Sequence, residues 1–345
     1  MITVKEIAKM CGVSASTVSN ILNGKTNVSE QTRLRVLGVI AETGYQPNYF
    51  ASSMRKQNTR MIGIIAEDLC QFSTNTIVGA VMADCEEQGY RTMLINLRLY
   101  DKWKDTWYND ETKLKSTLLP ALNEVQSIKV DGIIYVAGHC RIIKTFPPDF
   151  SLPTVIAYAT AEQNRFPSVI IDDEKGGYDM MKYIVSMGHR KIGIVAGTAD
   201  NMHTKSRMVG CQRALFEAGI PYNPEWTVCG DWERTSGYEC AAKLANTGVT
   251  AIWCMNDLMA GGVYDYAYEH HIAIGEDISV AGYDNMEISR FMYPKLTTNE
   301  LPLEEIGRSA ANKLLEMLED EKKSSRETVQ LPCKMKIRDS VCRIK

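Results

Sequence analysis

Two patterns of apolar residues divide the chain. Up to about residue 44, apolar side chains recur every three or four positions, which predicts amphipathic helices. From Met61 onward, short apolar runs alternate with amphipathic stretches, which predicts buried strands separated by helices. This alternation is typical of doubly wound parallel sheets, and the strands are too numerous for a single sheet. We therefore expect an N-terminal all-α domain followed by an α/β body with more than one doubly wound parallel sheet.

The buried strands are predicted at 61–65, 91–95, 132–136, 154–156, 169–171, 191–195, 251–253 and 278–281. The helices between them are predicted at about 75–88, 113–127, 175–187, 206–218, 236–246, 258–270 and 303–319. Gly89, Gly188 and Gly219 end three of these helices, because glycine readily adopts the left-handed conformation that closes a helix.

The first 44 residues have the pattern of a helix–turn–helix followed by a third helix. Thr3 and Glu6 form a T-x-x-E capping box at the start of the first helix. Gly12 supplies the turn, and Ser14 can cap the second helix. The outer face of the second helix carries small and polar residues of a size that suits a DNA major groove: Ala15, Ser16, Ser19, Asn20 and Asn23.

The same segment resembles a known family. The strings V-K-E-I-A-K-M-C-G-V-S-A-S-T-V-S-N-I-L-N-G, V-S-E-Q-T-R-L-R-V and G-Y-Q-P-N, in this order, resemble the lactose/galactose repressor family of bacterial transcription regulators. A generic three-helix bundle is the alternative, but it has no need for this string of small polar residues. The DNA-contacting residues implied here are Thr3, Ser14, Ala15, Ser16, Thr17, Ser19, Asn20, Asn23, Lys25, Ser29 and Thr32. Asn20 stands where many members of the family have an Arg, so the operator should differ from the commonest half-site at the base pairs read from this position.

Charge follows the same division. Residues 1–60 contain eight Lys or Arg and three acidic residues, whereas the whole chain has a formal net charge of −3. A basic segment on an acidic body is expected when only one end meets DNA phosphates. The domain limits we expect are 1–46 for the helix–turn–helix headpiece, 47–60 for a hinge and 61–345 for the body.

The hinge is too short to form a stable helix alone. In the resembling family this segment folds on operator DNA, and a Leu side chain enters the minor groove. Met54 occupies that position here, and the resemblance implies DNA contacts in this segment for Asn48, Ala51, Met54 and Arg55. An inert linker is the alternative.

For residues 61–345 the resemblance implies a body like a periplasmic sugar-binding protein. The expected N-subdomain is about 61–160 and 303–324, and the expected C-subdomain is about 161–302 and 325–345. Three crossovers, near 160, 300 and 325, would join them, with a ligand in the cleft at the carboxyl ends of the strands. No leucine heptad follows the last strand, so we expect a homodimer.

Polar and aromatic residues after the strands match the family's ligand positions. The effector-binding residues we expect are Phe72, Ser73, Tyr158, His203, Arg207, Trp232, Asn256, Asp257 and Asp284. Alternatives remain open. Asn256 and Asp257 could cap a helix, Trp232 could belong to the core, and Arg207 with Asp284 could form a structural ion pair.

An aromatic platform beside Arg, Asn and Asp is typical of carbohydrate sites. A nucleobase site would favour aromatic residues from both subdomains, which Ser73 does not provide, so a saccharide effector is expected. Residues 97–113 form an apparent insertion with Trp103, Trp107 and Tyr108. It is either a surface elaboration, or a lip of the cleft or a partner surface.

The function expected is a dimeric repressor that leaves pseudo-palindromic operator DNA when a saccharide binds. A purine or phosphorylated corepressor is one alternative, and a sugar-binding protein without a DNA role is another. An enzyme is not expected, since the chain lacks G-x-G-x-x-G, G-x-x-x-x-G-K-[ST] and G-x-S-x-G. The ten cysteines show no metal-ligand spacing, so no metal or cofactor is expected. With no apolar run of eighteen residues and no signal sequence, a cytoplasmic protein is expected.

Overall fold

The structure is a computed structural model that describes residues 2–22, 28–45, 59–104, 110–320 and 326–344. The chain forms two compact units, Met1–Thr59 and Arg60–Lys345. Several of the residues singled out from the sequence lie outside the described ranges: Asn23, Lys25, Asn48, Ala51, Met54, Arg55, Trp107 and Tyr108.

The first unit contains α1 (Val4–Met10), α2 (Ala15–Leu22) and α3 (Glu30–Thr43). The capping box predicted for α1 is confirmed, because the backbone N–H of Thr3 donates to Glu6 Oε2 at 2.7 Å and the N–H of Glu6 donates to Thr3 Oγ1 at 3.3 Å. Gly12 has φ +61 at the turn, as a left-handed position requires. The buried core of this unit is Ile7, Ala8, Cys11, Val18, Ile21 and Val36.

The helices of the second unit are α4 (Phe72–Glu87), α5 (Leu99–Trp103), α6 (Glu111–Ile128), α7 (Asp173–Ser186), α8 (Met202–Glu217), α9 (Arg234–Leu244), α10 (Asp257–Glu269) and α11 (Leu303–Glu319). The strands are β1 (Met61–Ala66), β2 (Arg91–Asn96), β3 (Gly132–Val136), β4 (Ile142–Ile143), β5 (Thr154–Ala157), β6 (Thr160–Ala161), β7 (Ser168–Ile171), β8 (Ile192–Ala196), β9 (Thr227–Cys229), β10 (Ala251–Cys254), β11 (Ser279–Ala281), β12 (Thr298–Glu300), β13 (Thr328–Leu331) and β14 (Lys334–Lys336).

These strands form two parallel sheets, as the alternating pattern predicted. Within the described ranges the first sheet has the order β13-β7-β5-β3-β1-β2 and the second has the order β11-β10-β8-β9. We call the first sheet with α4, α6 and α11 the first lobe, and the second sheet with α7 to α10 the second lobe. A strand that is covered on both faces needs apolar residues at every position. Gly132–Val136 is such a strand, because all five of its residues are buried.

The lobe limits differ from the sequence expectation. Ser168–Ile171 pairs with β5, and Thr328–Leu331 pairs with Ser168–Ile171, so both segments belong to the first lobe. The expectation placed both in the C-subdomain, because the choice of sheet depends on long-range pairing that a local apolar run does not specify. The chain therefore first crosses after Ile171. On its later crossings, β12 and β14 pair with each other in an antiparallel ladder.

Among the described residues, no helix is both long and apolar enough to cross a lipid bilayer.

Candidate ligand cleft and nucleic-acid interface

The outer face of α2 presents short side chains to solvent. Ala15 and Ser16 are exposed, while Ser19 and Asn20 are half-buried. The first turn of α2 contains no acidic residue, so its N–H groups are free of a competing carboxylate. A helix N-terminus without a nearby acidic side chain suits a DNA phosphate.

Serine hydroxyl groups cap the N-termini of α2 and α3. Ser14 Oγ accepts from the N–H of Thr17 at 3.1 Å and lies 2.7 Å from Ser16 Oγ. Ser29 Oγ accepts from the N–H of Thr32 at 3.4 Å and lies 2.9 Å from its hydroxyl. These hydroxyl groups therefore fix the starts of α2 and α3.

In the body, a cavity of about 140 Å³ lies where the carboxyl ends of both sheets face each other. It is lined by eight of the nine expected effector residues, namely Phe72, Ser73, Tyr158, His203, Arg207, Trp232, Asn256 and Asp284. It is also lined by residues that sequence reasoning missed: Gln71, Tyr100, Gly138, His139, Asn201, Asp231, Glu233, Leu258 and Met286. Binding crevices at strand carboxyl ends are typical of parallel α/β sheets.

Arg207 is held mainly by the protein. Its Nε donates to Asp173 Oδ1 at 2.7 Å, and its Nη1 donates to the carbonyl of Met255. Its guanidinium lies 3.7 Å from the ring centroid of Tyr283. Only Nη2 remains, at 3.9 Å from Asp284 Oδ1, which is too far for a hydrogen bond. The ion pair considered between Arg207 and Asp284 is therefore present only at 3.9 Å, and the closer carboxylate partner of Arg207 is Asp173 at 2.7 Å.

Asp173 was missed because its role depends on partners far along the chain. Burial alone would raise the pKa of Asp173, but Arg207 and His203 outweigh it and lower the pKa to about 2. Burial raises the pKa of Asp284 well above its usual range, because the more distant Arg207 only partly offsets the desolvation. The sequence signal that could have identified Asp173 is its position in an acidic pair with Asp172, directly after a buried strand and at the start of a helix.

His203 connects the two lobes. Its Nδ1 donates to Asp173 Oδ2 at 2.6 Å, and its Nε2 accepts the backbone N–H of Cys140 at 3.2 Å. Because Nε2 is the acceptor, the proton of the neutral imidazole lies on Nδ1. The Tyr158 ring, from the first lobe, lies 5.3 Å from the imidazole.

A buried ion pair fixes the loop that carries Cys140. Arg141 Nη1 donates to Glu67 Oε2 at 2.9 Å, and Arg141 Nη2 donates to Glu67 Oε1. The N–H of Gly138 donates to the same carboxylate at 2.6 Å, and the hydroxyl of Tyr135 donates to it as well. A bidentate arginine on a fully buried carboxylate sets the geometry of the loop around it.

Asp257 does not line the cavity, which corrects its expected role. It is fully buried, its Oδ1 accepts the hydroxyl of Thr298 at 2.6 Å, and its Oδ2 accepts the N–H of Met286 at 2.7 Å. Asn256 does line the cavity while also capping α10, since its Oδ1 accepts the N–H of Met259 at 2.8 Å. Asp257 is therefore a structural carboxyl behind the cleft.

Aromatic side chains line the cavity from both lobes. Trp232 belongs to the second lobe, and its indole lies over Gly197, where an added Cβ would be 1.9 Å from Trp232 Cζ2. Phe72 belongs to the first lobe and is 37% exposed. The sequence analysis placed Phe72 at the cleft but judged the second aromatic wall from Ser73, and it did not name Tyr100.

The apparent insertion contributes to the cleft in part. Tyr100 lies on the cavity, whereas Trp103 packs partly buried against the core of its own lobe. Asp68 holds this short helix in place, because its Oδ2 accepts the N–H groups of Tyr100 and Asp101 at 2.9 and 3.2 Å.

Sequence comparisons agree with both units. Residues 3–48 match the family described as bacterial regulatory proteins, lacI family, and residues 181–341 match a periplasmic binding protein-like domain. The HTH-type transcriptional repressor PurR of Pasteurella multocida is 34% identical over 349 residues, covering 99% of either chain. PurR of Mannheimia succiniciproducens is 32% identical over 348 residues, covering 100% of both chains.

Solved structures share the fold. The lac repressor dimer bound to operator and the anti-inducer ONPF superposes with a TM-score of 0.82 at 24% identity, covering 99% of both chains. A LacI family regulator from Enterococcus faecium with bound ribose has a TM-score of 0.64 at 25% identity, covering 83% of this chain and 100% of that one. The two PurR relatives and the lac repressor are transcriptional repressors and not enzymes. The chain belongs to the lacI family of bacterial regulatory proteins and is a DNA-binding transcriptional repressor.

Proposed function

We propose that a planar ring ligand of the purine class, bound in the cavity between the lobes, sets the operator affinity of this repressor. The observation that carries this proposal is the aromatic pair Phe72 and Trp232, which come from different lobes and line one cavity. Aromatic rings on two walls suit a flat heterocycle with two π faces. The relatives named PurR support a purine-related effector.

Size and polarity support the same ligand class. The cavity, about 140 Å³, is smaller than the roughly 300–1,000 Å³ of sites for drug-sized molecules, so it suits a single compact ring system. The side-chain NH2 group of Asn201 and the carboxyl of Asp284 offer polar contacts to a ligand, whereas the amide of Asn256 is already bonded to the carbonyl of Trp232 and the N–H of Met259. Asp231 and Glu233 also line the cavity and disfavour a phosphate group there.

A saccharide is the second candidate. It is favoured by the half-buried Trp232 platform beside amide and carboxyl groups, which is how proteins hold a sugar ring. In that case the ligand would release the repressor from its operator, as the sequence led us to expect.

For DNA recognition, we propose that a homodimer places α2 of each subunit in a major groove of a pseudo-palindromic operator. Ala15, Ser16, Ser19 and Asn20 would face the bases, and support for this comes from their placement on the outer face of α2. The hinge contacts of Met54 and its neighbours remain predictions.

The effector is identified by isothermal titration calorimetry on the full chain with adenine, guanine, glucose and ribose. We expect a purine base to bind, and we expect Phe72→Ala and Trp232→Ala each to weaken it at least tenfold. Phe216→Ala is the matched control, because Phe216 is 83% exposed on α8 and does not line the cavity. Binding of a sugar alone, lost in Trp232→Ala, would replace the purine by the second candidate.

A further inference from the structure

A second cavity, of about 400 Å³, lies beside the first. The two cavities share Phe72, Asp284 and Met286, so these side chains form the partition between adjoining spaces. We call the 140 Å³ cavity the inner compartment and the second one the outer compartment. The outer compartment lies where the chain crosses between lobes, and Thr76, Leu303 and Lys334 are among its lining residues.

We infer that the effector is a molecule of two parts, with its ring in the inner compartment and an uncharged or cationic hydroxyl- or amine-bearing group in the outer one. For the purine ligand of the proposed function, on which this inference rests, that molecule is a nucleoside and not the free base or the nucleotide. The inner compartment has room for one ring system, whereas the larger outer compartment has room for a further group attached to it.

The charges of the outer compartment select against an anionic group. Glu300 is paired with Lys336 at 2.9 Å, and Glu305 is paired with Lys334 at 2.9 Å. Besides these two pairs, the outer compartment is lined by two carboxylates, those of Glu287 and Glu304, and by one guanidinium, that of Arg290. The balance is negative, so a phosphate is repelled, whereas hydroxyl and amine groups can donate to carboxylates.

The partition contains a buried carboxyl that lacks a hydrogen-bond donor. The side chain of Asp284 is only 9% exposed, and its nearest cation, Arg207 Nη2, is 3.9 Å away. Within the described ranges no side chain or backbone group hydrogen-bonds to this carboxyl. Its backbone is fixed, because the N–H of Asp284 donates to the carbonyl of Asn299 at 2.8 Å. Buried polar groups are normally satisfied, so a ligand that passes from one compartment to the other would supply the missing partner.

The experiment compares three matched ligands on the full chain by calorimetry: adenine, adenosine and adenosine 5′-monophosphate, with the guanine series in parallel. We expect a nucleoside to bind at least tenfold more tightly than its base and its monophosphate. Thr76 lines the outer compartment and not the inner one, so Thr76→Trp should reduce nucleoside affinity to that of the base while the base still binds. Asn75→Trp is the control, because Asn75 is exposed on the same helix and lines neither compartment.

A second variant covers the case in which Thr76→Trp fails to fold. Glu304→Lys changes an exposed residue and reverses one charge, so it should bring the monophosphate closer in affinity to the nucleoside. Equal or tighter binding of the free base in the unsubstituted chain would overturn the two-part ligand and leave the proposed function intact. If no base or nucleoside binds, both proposals fail.

Discussion

The imidazole of His203, in the second lobe, accepts the backbone N–H of Cys140, in the first lobe, at 3.2 Å. The same ring donates to Asp173, which also holds Arg207. One hydrogen-bonded chain therefore runs from the first lobe to the guanidinium that lines the cavity. Because a ligand can shift an equilibrium only through different affinities for two lobe arrangements, this chain is a physical link between the cavity and the arrangement of the lobes.

His203→Phe removes this link while keeping an aromatic ring in place. A net loss of about 0.5–1.5 kcal/mol is typical for one hydrogen bond, so ligand affinity should fall about two- to tenfold. The ligand-free protein should also show a larger radius of gyration by small-angle scattering. His270→Phe is the control, since His270 is exposed and stacks on Tyr266 away from the cavity. Identical scattering and affinity for both variants would rule out the link.

Asp173→Asn should destabilise the body strongly, because it leaves the buried Arg207 without its carboxylate. Loss of one partner from a buried pair typically costs about 3–5 kcal/mol in the free energy of unfolding. Asp179→Asn removes the same charge from an exposed pair with Lys175, so its effect should stay below about 1 kcal/mol. Urea unfolding at pH 7 measures both, and similar losses would contradict the assigned role of Asp173.

The acid dependence of stability follows from the same carboxylate. The folded pKa of Asp173, about 2, lies below its usual value of 3.8. This contribution is therefore fully present above about pH 3.8 and is lost as the pH falls toward 2. Between pH 4 and pH 2, the free energy of unfolding should fall more steeply for the unsubstituted chain than for Asp173→Asn. Parallel pH profiles would show that the pKa of Asp173 is not lowered.

Gly197→Ala tests the packing of the Trp232 indole against Gly197. The added methyl would meet Trp232 Cζ2 at 1.9 Å, so the ring must move and ligand affinity should fall at least tenfold. Gly79→Ala is the control: Gly79 lies exposed on α4 with open space around it, and alanine there should be neutral or stabilising by up to about 1 kcal/mol. Unchanged ligand affinity in Gly197→Ala would mean that Trp232 does not form a wall of the site.

Asn20→Arg tests the assignment of α2 to the major groove. A bidentate arginine prefers guanine, and such a contact typically discriminates by about 1–3 kcal/mol against other bases. Selection from a randomised duplex library should therefore yield a half-site with a new guanine. Gln31→Arg adds the same charge at an exposed position of α3 and should raise affinity without changing the selected sequence. The same half-site from both variants would remove Asn20 from base recognition.

Apolar periodicity and capping residues, which are local in the chain, predicted most of the helices and strands. Features that depend on residues far apart in the chain could not be predicted from the sequence. The start of α1 was predictable because Thr3 and Glu6 lie three residues apart and satisfy each other. The sheet of Ser168–Ile171 was not, because its neighbours lie far away in the chain. Asp173 and Asp257 show the same limit within the site. Both residues follow a strand in the sequence. Only the three-dimensional positions of their partners show that Asp173 binds Arg207, whereas Asp257 binds Thr298 outside the cavity lining.

The most direct test of the central claim is the affinity of the full chain for its selected operator, measured by fluorescence anisotropy with and without the ligand found by calorimetry. We predict that saturating ligand changes operator affinity at least tenfold and that Trp232→Ala abolishes the change while keeping ligand-free affinity. Tighter binding would identify a corepressor, and weaker binding an inducer. The same operator affinity at zero and saturating ligand would contradict the account.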